Sequence, residues 1–210
     1  MTENETHAGN LDLIGGWDCL DFVNTVSGLR RENPPDYLNS YADLVLWGQH
    51  VGLLGEEEAD QLMGEAKRRP AQADQVFGQA IALRETIYRI FAAIIAGERP
   101  AMADLTDLNA VLSEALGRLQ LVPAAEGFAW DWRDEKKALE RLVWPLARSA
   151  AELLTSADLK RVRQCGGGDC EWLFVDTSRN RSRRWCDMKS CGNRAKAQRH
   201  YKRKRAADTA

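Results

Sequence analysis

The sequence predicts an α+β fold that is mostly helical: a helical N-terminal domain with a small β-hairpin, followed by a small four-cysteine, zinc-binding, ββα-like module. Apolar residues recur at helical spacing through most of residues 11–155. The spacing changes to a period of two around residues 119–132, which indicates the hairpin. Four of the chain's 5 cysteines lie together after residue 160, which indicates the module.

The composition limits the class of protein. The chain has 210 residues, of which 44% are hydrophobic and 29% charged, so it can bury a core and is not expected to be disordered. It has no run of about 18 apolar residues, so we expect no membrane-spanning helix. The first ten residues are polar and lack the pattern of a signal peptide. We therefore expect a cytoplasmic protein with no membrane partner.

The N-terminal part is expected to begin with a frayed, disordered segment, residues 1–10. Residues 17–25 then carry apolar side chains close to helical spacing, which predicts a short buried element ended by a polar turn. Within it, Cys19 is expected to be a buried core thiol. An Asn-Pro-Pro sequence starting at Asn33 breaks the chain after this element.

Four helices are predicted next, and in three of them apolar residues repeat every three or four positions. Ser40 is placed to cap the first helix and Gly97 to end the third. The run Glu56-Glu57-Glu58 suits the positive N-terminal end of the second. The predicted ranges are residues 41–54, 56–68, 71–96 and 102–117.

A β-hairpin is predicted over residues 119–132, where apolar residues alternate with polar or small ones on both sides of a turn. A long helix is predicted over residues 134–155, with a bend at Pro145. Turn-forming residues follow it. They mark the boundary that we expect between a helical domain, residues 1–156, and the cysteine module, residues 157–210.

The charges are distributed unevenly along the chain. Residues 160–205 contain 15 Lys and Arg against 4 Asp and Glu, a net charge of +11. The whole chain has 29 basic and 31 acidic residues, which leaves 14 basic and 27 acidic residues elsewhere, a net charge of −13. This asymmetry predicts that the basic end binds a polyanion.

The four cysteines of the basic end form two close pairs, Cys165 with Cys170 and Cys186 with Cys191. Four residues lie inside each pair and fifteen lie between the pairs. This spacing favours one tetrahedral zinc ion with four thiolate ligands, which leaves no open coordination position and makes the zinc structural. A redox-active or disulfide pair and an iron–sulfur cluster are the alternatives, although the spacing matches neither common ferredoxin pattern.

The sequence around the cysteines is consistent with a metal site. Gly166-Gly167-Gly168 suits a loop that bends tightly around a metal and directs amide N–H groups at sulfur, and Cys191 is expected to open a helix. The segment between the pairs predicts a hairpin that places Trp172 near Trp185, with both rings in the module's core rather than stacked on bases. So small a core needs an additional cross-link to be stable, and a bound zinc ion supplies it.

A basic helix is predicted after Cys191. From Arg194 to Arg205 it contains seven Lys or Arg residues and no acidic residue, and four further arginines lie between the cysteine pairs. Polyphosphate would relieve the repulsion among these cations, which predicts nucleic-acid binding. The expected contact residues are Arg179, Arg181, Arg183, Arg184, Asn193, Arg194, Lys196, Arg199, Lys202, Arg203 and Arg205.

Residues 159–205 resemble the CGNR zinc finger, named for the tetrapeptide that occurs here as Cys191-Gly192-Asn193-Arg194. The four cysteines and the basic helix also match. The preceding part resembles the ABATE domain through Leu20-Asp-Phe-Val-Asn-Thr25, Ala82-Leu-Arg-Glu85 and Trp144-Pro-Leu-Ala147. The resemblance implies a bacterial transcription regulator whose finger binds zinc through the four cysteines and binds DNA.

These observations leave three functional hypotheses. The first is a DNA-binding transcription regulator whose N-terminal domain senses a small-molecule effector or forms a homodimer. The second is an RNA-binding protein, because cations and aromatic rings also suit single strands.

The third and least favoured hypothesis is an enzyme or ligand-binding domain with a structural zinc finger. The sequence has no recognisable catalytic motif, so we expect no enzymatic activity. A small ligand could occupy a pocket between residues 20–25 and the long helices. The candidate polar residues of the N-terminal domain are Asp18, Asp21, Asn24, His50 and Glu85.

Overall fold

The computed structural model describes residues 6–30, 34–132 and 138–207, and it confirms a mostly helical α+β fold. Its elements, in chain order, are α1 (Asp18–Val23), α2 (Tyr41–His50), α3 (Glu56–Arg68), α4 (Pro70–Ile95), α5 (Met102–Arg118), β1 (Leu119–Pro123), β2 (Phe128–Trp132), α6 (Val143–Thr155), β3 (Val162–Gln164), β4 (Leu173–Val175) and α7 (Asn193–Ala207). Two 3-10 helices, Leu139–Leu142 and Ala157–Arg161, and a π-helical turn, Met188–Gly192, connect some of them. None of the helices in these ranges is both long and apolar enough to cross a membrane.

The four helices predicted from the sequence are present, and local groups set their ends. The Ser40 hydroxyl accepts a hydrogen bond from the Asp43 N–H at the start of α2, as its capping role predicts. That helix ends at His50 rather than at residue 54, because the chain turns at Gly52, whose φ of +79° favours glycine. α4 is followed by Gly97, which has a φ of +78°.

The helix predicted over residues 134–155 is shorter than expected. Residues 133–137 lie outside the described residues, Leu139–Leu142 form a 3-10 helix, and α6 begins at Val143. Pro145 therefore lies in the first turn of α6, where its missing N–H removes no helical hydrogen bond. The bend predicted at Pro145 is thus replaced by a helix start.

The core of the helical part lies around α4, which packs against α1, α2 and α5. Phe22 of α1 contacts Trp47 of α2, with ring centroids 5.2 Å apart. Cys19 is fully buried, as predicted, and burial raises the pKa of its thiol to about 12. Ala8 is also buried in this core, so the described part of the segment expected to be frayed, residues 6–10, packs on the helices.

The hairpin predicted over residues 119–132 is present as β1 and β2. The two strands are antiparallel, with Leu119 opposite Trp132 and Pro123 opposite Phe128. Every residue of both strands is half-buried or exposed, so the hairpin projects from the helices. We call residues 119–132 the β-arm.

The prediction of a hairpin between the two cysteine pairs is wrong. We expected residues 172–175 to pair with residues 182–185, but β4 pairs with β3, the strand before the first cysteine, with Val162 opposite Val175. Residues 182–185 form no strand. The module still has the predicted ββα order, because β3, β4 and α7 follow one another along the chain.

Side-chain and long-range contacts explain this pairing. The Asp176 carboxylate accepts hydrogen bonds from the N–H groups of Ser178 and Arg183, so it holds the returning chain without a strand. The second edge of β4 is occupied by the helical domain, since the Val175 N–H donates to the Gly15 carbonyl at 2.9 Å. No edge of β4 is left for residues 182–185.

Candidate metal centre and basic helix

The four cysteines predicted as metal ligands come together in one cluster. The Sγ atoms of Cys165, Cys170, Cys186 and Cys191 all lie within 4.8 Å of one another. Each comes from a different short segment: the end of β3, the loop before β4, the loop after it, and the π-helical turn before α7. All four side chains are nearly inaccessible to solvent. The two close cysteine pairs of the sequence therefore lie together in one cluster.

The distances between the sulfur atoms fit a tetrahedral metal ion. The Sγ atom of Cys186 lies 3.8 Å from that of Cys170 and 3.5 Å from that of Cys191. Four thiolates at a Zn–S distance of about 2.3 Å are separated by roughly 3.8 Å from one another. The cluster therefore has the size and ligand chemistry of a site for one structural zinc ion.

Backbone N–H groups support the sulfur atoms. The Gly167 N–H points at the Cys165 Sγ at 3.5 Å, as the glycine run predicts, and the Cys186 N–H donates to the same sulfur at 3.3 Å. Gly166 is needed for a close approach, because its N–H donates to the Arg184 carbonyl at 2.7 Å and a Cβ on it would lie 3.0 Å from that oxygen. The loop is thus shaped for N–H donation to thiolate.

Because the four sulfur atoms lie so close together, negative charges on several of them repel one another when no cation is bound. Hydrogen bonds from the Cys170 and Cys186 thiols lower the pKa of Cys165 to about 2. The hydrogen bond to Cys165 raises the pKa of Cys170 to about 12, and bonds to both neighbours raise the pKa of Cys186. A divalent cation offsets this repulsion, since it binds each thiolate directly.

A small apolar shell covers the cluster. Phe174 is fully buried against it, and Ile14, Trp172 and Trp185 pack around it, half-buried. Both tryptophans therefore lie in the module's core, as predicted. No pattern in the sequence indicates that Ile14, which lies far from the cysteines along the chain, belongs to this shell.

The helical domain holds β4 through Asn24, which is buried. The Asn24 side-chain amide donates to the Leu173 carbonyl at 2.8 Å, and its side-chain oxygen accepts from the Leu173 N–H at 2.8 Å. The Trp172 indole N–H also donates to the Val26 carbonyl at 2.7 Å. The motif that suggested a family resemblance, residues 20–25, therefore lines the metal module, a role that no local pattern indicates.

A charged network continues this contact into α4. The Glu171 carboxylate, next to Cys170, accepts a hydrogen bond from the Arg30 N–H at 2.8 Å. The Arg30 guanidinium binds Glu85 of α4 at 2.9 Å, and Glu85 also binds Arg84 at 3.0 Å. The chain of contacts therefore runs from α4 to the loop that carries Cys170, one of the four clustered cysteines.

The remaining polar residues of the helical domain also have structural contacts. The Asp21 carboxylate accepts a hydrogen bond from the Gly15 N–H at 2.7 Å, and burial raises its pKa to about 6. His50 contacts the Leu11 carbonyl through Nε2 at 2.7 Å. Burial, with Glu152 nearby, also raises the pKa of Asp18.

The basic residues predicted to bind nucleic acid fall into two groups. The side chains of Arg183 and Asn193 have internal partners: Arg183 contacts the carbonyls of Trp185 and Cys186 and lies over the Phe174 ring, and Asn193 donates to the Lys189 carbonyl. Asn193 is nevertheless exposed, and so is the second group, which consists of Arg179, Arg181, Arg184, Arg194, Lys196, Arg199 and Arg205. The side chains of Lys202 and Arg203 lie outside the described residues.

One exposed arginine is also tied to the cysteine loop. Arg194, in the first turn of α7, forms an ion pair with Asp169 at 2.6 Å, and both side chains are about half exposed. Asp169 lies between Cys165 and Cys170. No local pattern in the sequence indicates this link, which joins the start of α7 to the loop that carries Cys165 and Cys170.

The fold and the site define a zinc-finger protein, with a helical domain packed on a four-cysteine module that ends in a basic helix. The ABATE model, described as "Putative stress-induced transcription regulator", matches residues 18–157, and the chain belongs to this family. The CGNR zinc finger model matches residues 161–204, in the order that the sequence predicts. Neither description names an enzymatic activity. Comparison with curated proteins gives no match.

Proposed function

We propose that this protein is a DNA-binding transcription regulator, in which zinc orders a surface that contacts DNA. The observation that carries the proposal is the position of α7. This helix begins two residues after the metal ligand Cys191, and from Asn193 to Tyr201 its side chains, Ala195 excepted, are exposed. The zinc site thus fixes the start of an exposed helix that is rich in Lys and Arg.

The helix has the size and charge to enter a major groove, where Arg binds guanine and Asn or Gln binds adenine. The exposed Arg179, Arg181 and Arg184 lie in the loop between the cysteine pairs and suit contacts to phosphates. Arg183 is left out of the proposed contacts, because its guanidinium already binds within the module. Of the rest, Arg194, Lys196, Arg199, Lys202, Arg203 and Arg205 are proposed to face DNA, with Asn193 at the start of the helix.

The domain of residues 1–156 is proposed to carry the regulatory role, either by sensing a small-molecule effector or by forming a homodimer. A cavity of about 330 Å³ lies between α4, α5 and α6, lined by Leu83, Val111 and Trp144 and by the carboxylates of Asp107 and Glu114. This is a different place from the pocket expected beside residues 20–25. We propose no enzymatic activity and a location in the cytoplasm.

The proposal is tested by binding of the purified zinc protein to duplex DNA across a range of salt concentrations. About six phosphate contacts give a slope near −5 in a plot of log affinity against log salt. Lys196→Ala should lower the affinity and reduce the slope by about 1, because one phosphate contact is lost. Lys67→Ala, at an exposed position of α3, is the matched control and should change neither. Binding that ignores salt, or that responds equally to both substitutions, contradicts the proposal.

RNA is the second candidate ligand, favoured by Tyr201, whose side chain is 65% exposed among the cations of α7. An exposed ring can stack on an unpaired base. Competition between duplex DNA and single-stranded RNA for the zinc protein separates the two ligands. DNA should displace RNA, and Tyr201→Ala should leave DNA affinity within about twofold; the reverse result assigns the surface to RNA.

A further inference from the structure

The β-arm has one wholly apolar face. In an antiparallel pair, opposite residues share a face, and so do residues two apart along each strand. One side of the arm therefore carries three cross-strand pairs: Leu119 with Trp132, Leu121 with Trp130, and Pro123 with Phe128. The other side carries Gln120, Val122, Ala129 and Asp131.

Within the part of the chain that the structure describes, the protein itself covers the base of this face, and the Arg148 guanidinium also lies over the Trp130 ring, 5.8 Å from its centroid. Trp132 packs on Trp144 of α6, with ring centroids 5.8 Å apart. Farther along the arm, Leu121 is 60% exposed, Trp130 is 56% exposed and Phe128 is 75% exposed. Water therefore contacts the large apolar side chains of the outer arm.

Such a surface needs a partner. A two-stranded hairpin alone is marginally stable in water, and contiguous exposed apolar patches of several hundred Å² mark interaction sites. The three outer side chains expose on the order of 400 Å², since an aromatic side chain offers about 150 to 250 Å² when it is buried completely. That is about half of the surface, roughly 800 Å², that one partner contributes to a stable dimer.

Further area adjoins the base of the arm. A cleft of about 390 Å³ is lined by Trp17, Trp132 and Pro145 and also by the charged side chains of Asp18, Arg148 and Glu152. It extends from the base of the arm toward α1 and α6 and offers polar as well as apolar side chains to a partner.

We propose that the apolar face of the β-arm is a dimer interface that packs on the same face of a second copy of this chain. A two-fold axis places one patch against its copy, so an apolar face meets an apolar face. Sheets that pack in this way lie about 10 Å apart and interleave their side chains.

The charges favour a second copy over a basic partner such as the module of residues 157–210. From Leu116 to Trp132 the charged residues are Arg118, Glu126 and Asp131, a net charge of −1. The chain outside residues 160–205 has a net charge of −13, so two copies repel each other where their acidic parts meet. At the nearly neutral arm two copies can approach at little electrostatic cost. A basic partner would instead be attracted to the acidic parts of the chain and would not favour the arm.

This inference rests on the dimerising role proposed for the helical domain, and its test uses the zinc-bound chain of residues 1–210 without DNA. Sedimentation over a wide range of concentration should show a reversible dimer. Phe128→Glu should raise the dimer dissociation constant at least tenfold, about the effect of losing one buried aromatic anchor. Ala129→Glu is the matched control: it adds the same charge one residue away, on the other face, and should leave the dissociation constant within about twofold.

The alternatives give distinct results. A wild-type protein that stays monomeric at every concentration overturns the inference and leaves the face to another class of partner. A dimer that resists Phe128→Glu, or that both glutamates disrupt equally, shows that this face is not the interface. Zinc content and circular dichroism of each variant establish that it is folded. Because no DNA is present, failure of dimerisation is distinguishable from failure of DNA binding.

Discussion

At the scale of single residues, Cys186 contacts each of the other three cysteines of the cluster. Its sulfur lies beside those of Cys170 and Cys191, and its N–H donates to the sulfur of Cys165. Cys186→Ser should lower zinc affinity by more than about 100-fold, because even changes outside the ligand set cost 10- to 100-fold. DNA affinity should fall with it, since α7 begins at the site. Metal analysis after dialysis, together with DNA binding, measures both effects.

The fifth cysteine supplies the control for this prediction. Cys19 is buried in α1 and lies outside the zinc site, so Cys19→Ala should keep one zinc ion per chain. A zinc-free Cys186→Ser protein that binds DNA as well as the wild type does would contradict a role for zinc in ordering the DNA-binding surface.

A second prediction at this scale concerns Asp21, whose pKa burial raises from 3.8 to about 6. Between these values the unfolded chain has released the Asp21 proton and the folded chain still binds it, so folding stability falls as pH rises from about 4 to 6. In Asp21→Asn this contribution is absent. Chemical unfolding of both proteins at several pH values should therefore show the difference in stability moving in favour of Asp21→Asn across this window. A constant difference would contradict the raised pKa.

At the scale of structural elements, the glycines in the loop between Cys165 and Cys170 differ in how much space they have for a side chain. A Cβ on Gly166 would lie 3.0 Å from the Arg184 carbonyl oxygen, whereas a Cβ on Gly168 meets nothing within 4 Å. Gly166→Ala should therefore cost about 1 to 3 kcal/mol of stability, because backbone must move, and should weaken zinc binding. Gly168→Ala is the matched control. Competition for zinc with a coloured chelator compares them; equal affinities would show that the loop adapts to the added methyl group.

The helices illustrate how element boundaries depend on neighbours. The sequence period identified α2 and α4, but α2 ends four residues before the predicted position, at the turn containing Gly52. α6 begins at Val143, so Pro145 opens the helix that it was expected to bend. Periodicity reports which residues face the core, and it does not report where hydrogen bonding along the backbone stops.

At the scale of the whole molecule, the zinc module and the helical domain share packing. Leu173 and Val175 of β4 belong to the same core cluster as the buried residues of α1, α4 and α6. Asn24 pairs with both backbone groups of Leu173, and Glu171 binds the Arg30 N–H. The stability of the module therefore depends on the helical domain as well as on zinc.

This dependence gives a prediction. Asn24→Ala leaves a buried N–H and a buried carbonyl of Leu173 unpaired, and each unmade hydrogen bond costs about 1 to 3 kcal/mol. Unfolding in urea should show a loss of about 2 to 5 kcal/mol, and the Leu173 amide should exchange faster with solvent. Asn180→Ala, at an exposed loop position, is the control. Equal stabilities of the two variants would show that the contact does not hold the module.

The sequence by itself determined which cysteines gather in one cluster, the order of the helices, the β-arm and the basic helix. These follow from local chemistry: cysteine pairs at short spacing, a repeat of three to four residues, alternation with a period of two, and a run of cations without acids. Each can be recognised within a window of one element, because the groups that produce the structure are neighbours in the chain.

The tertiary structure alone decided which partner β4 pairs with, what Asn24 does, and which arginines are exposed. The sequence of a three-residue strand such as β4 does not indicate which segment pairs with it. Its pairing depends on groups far away in sequence, such as Gly15 and Asn24, which bind its other edge. Arg183 has the same local sequence signal as Arg184, yet the fold places its guanidinium over Phe174. Contacts between distant segments have no local signature, because they depend on backbone positions that exist only after the chain has folded.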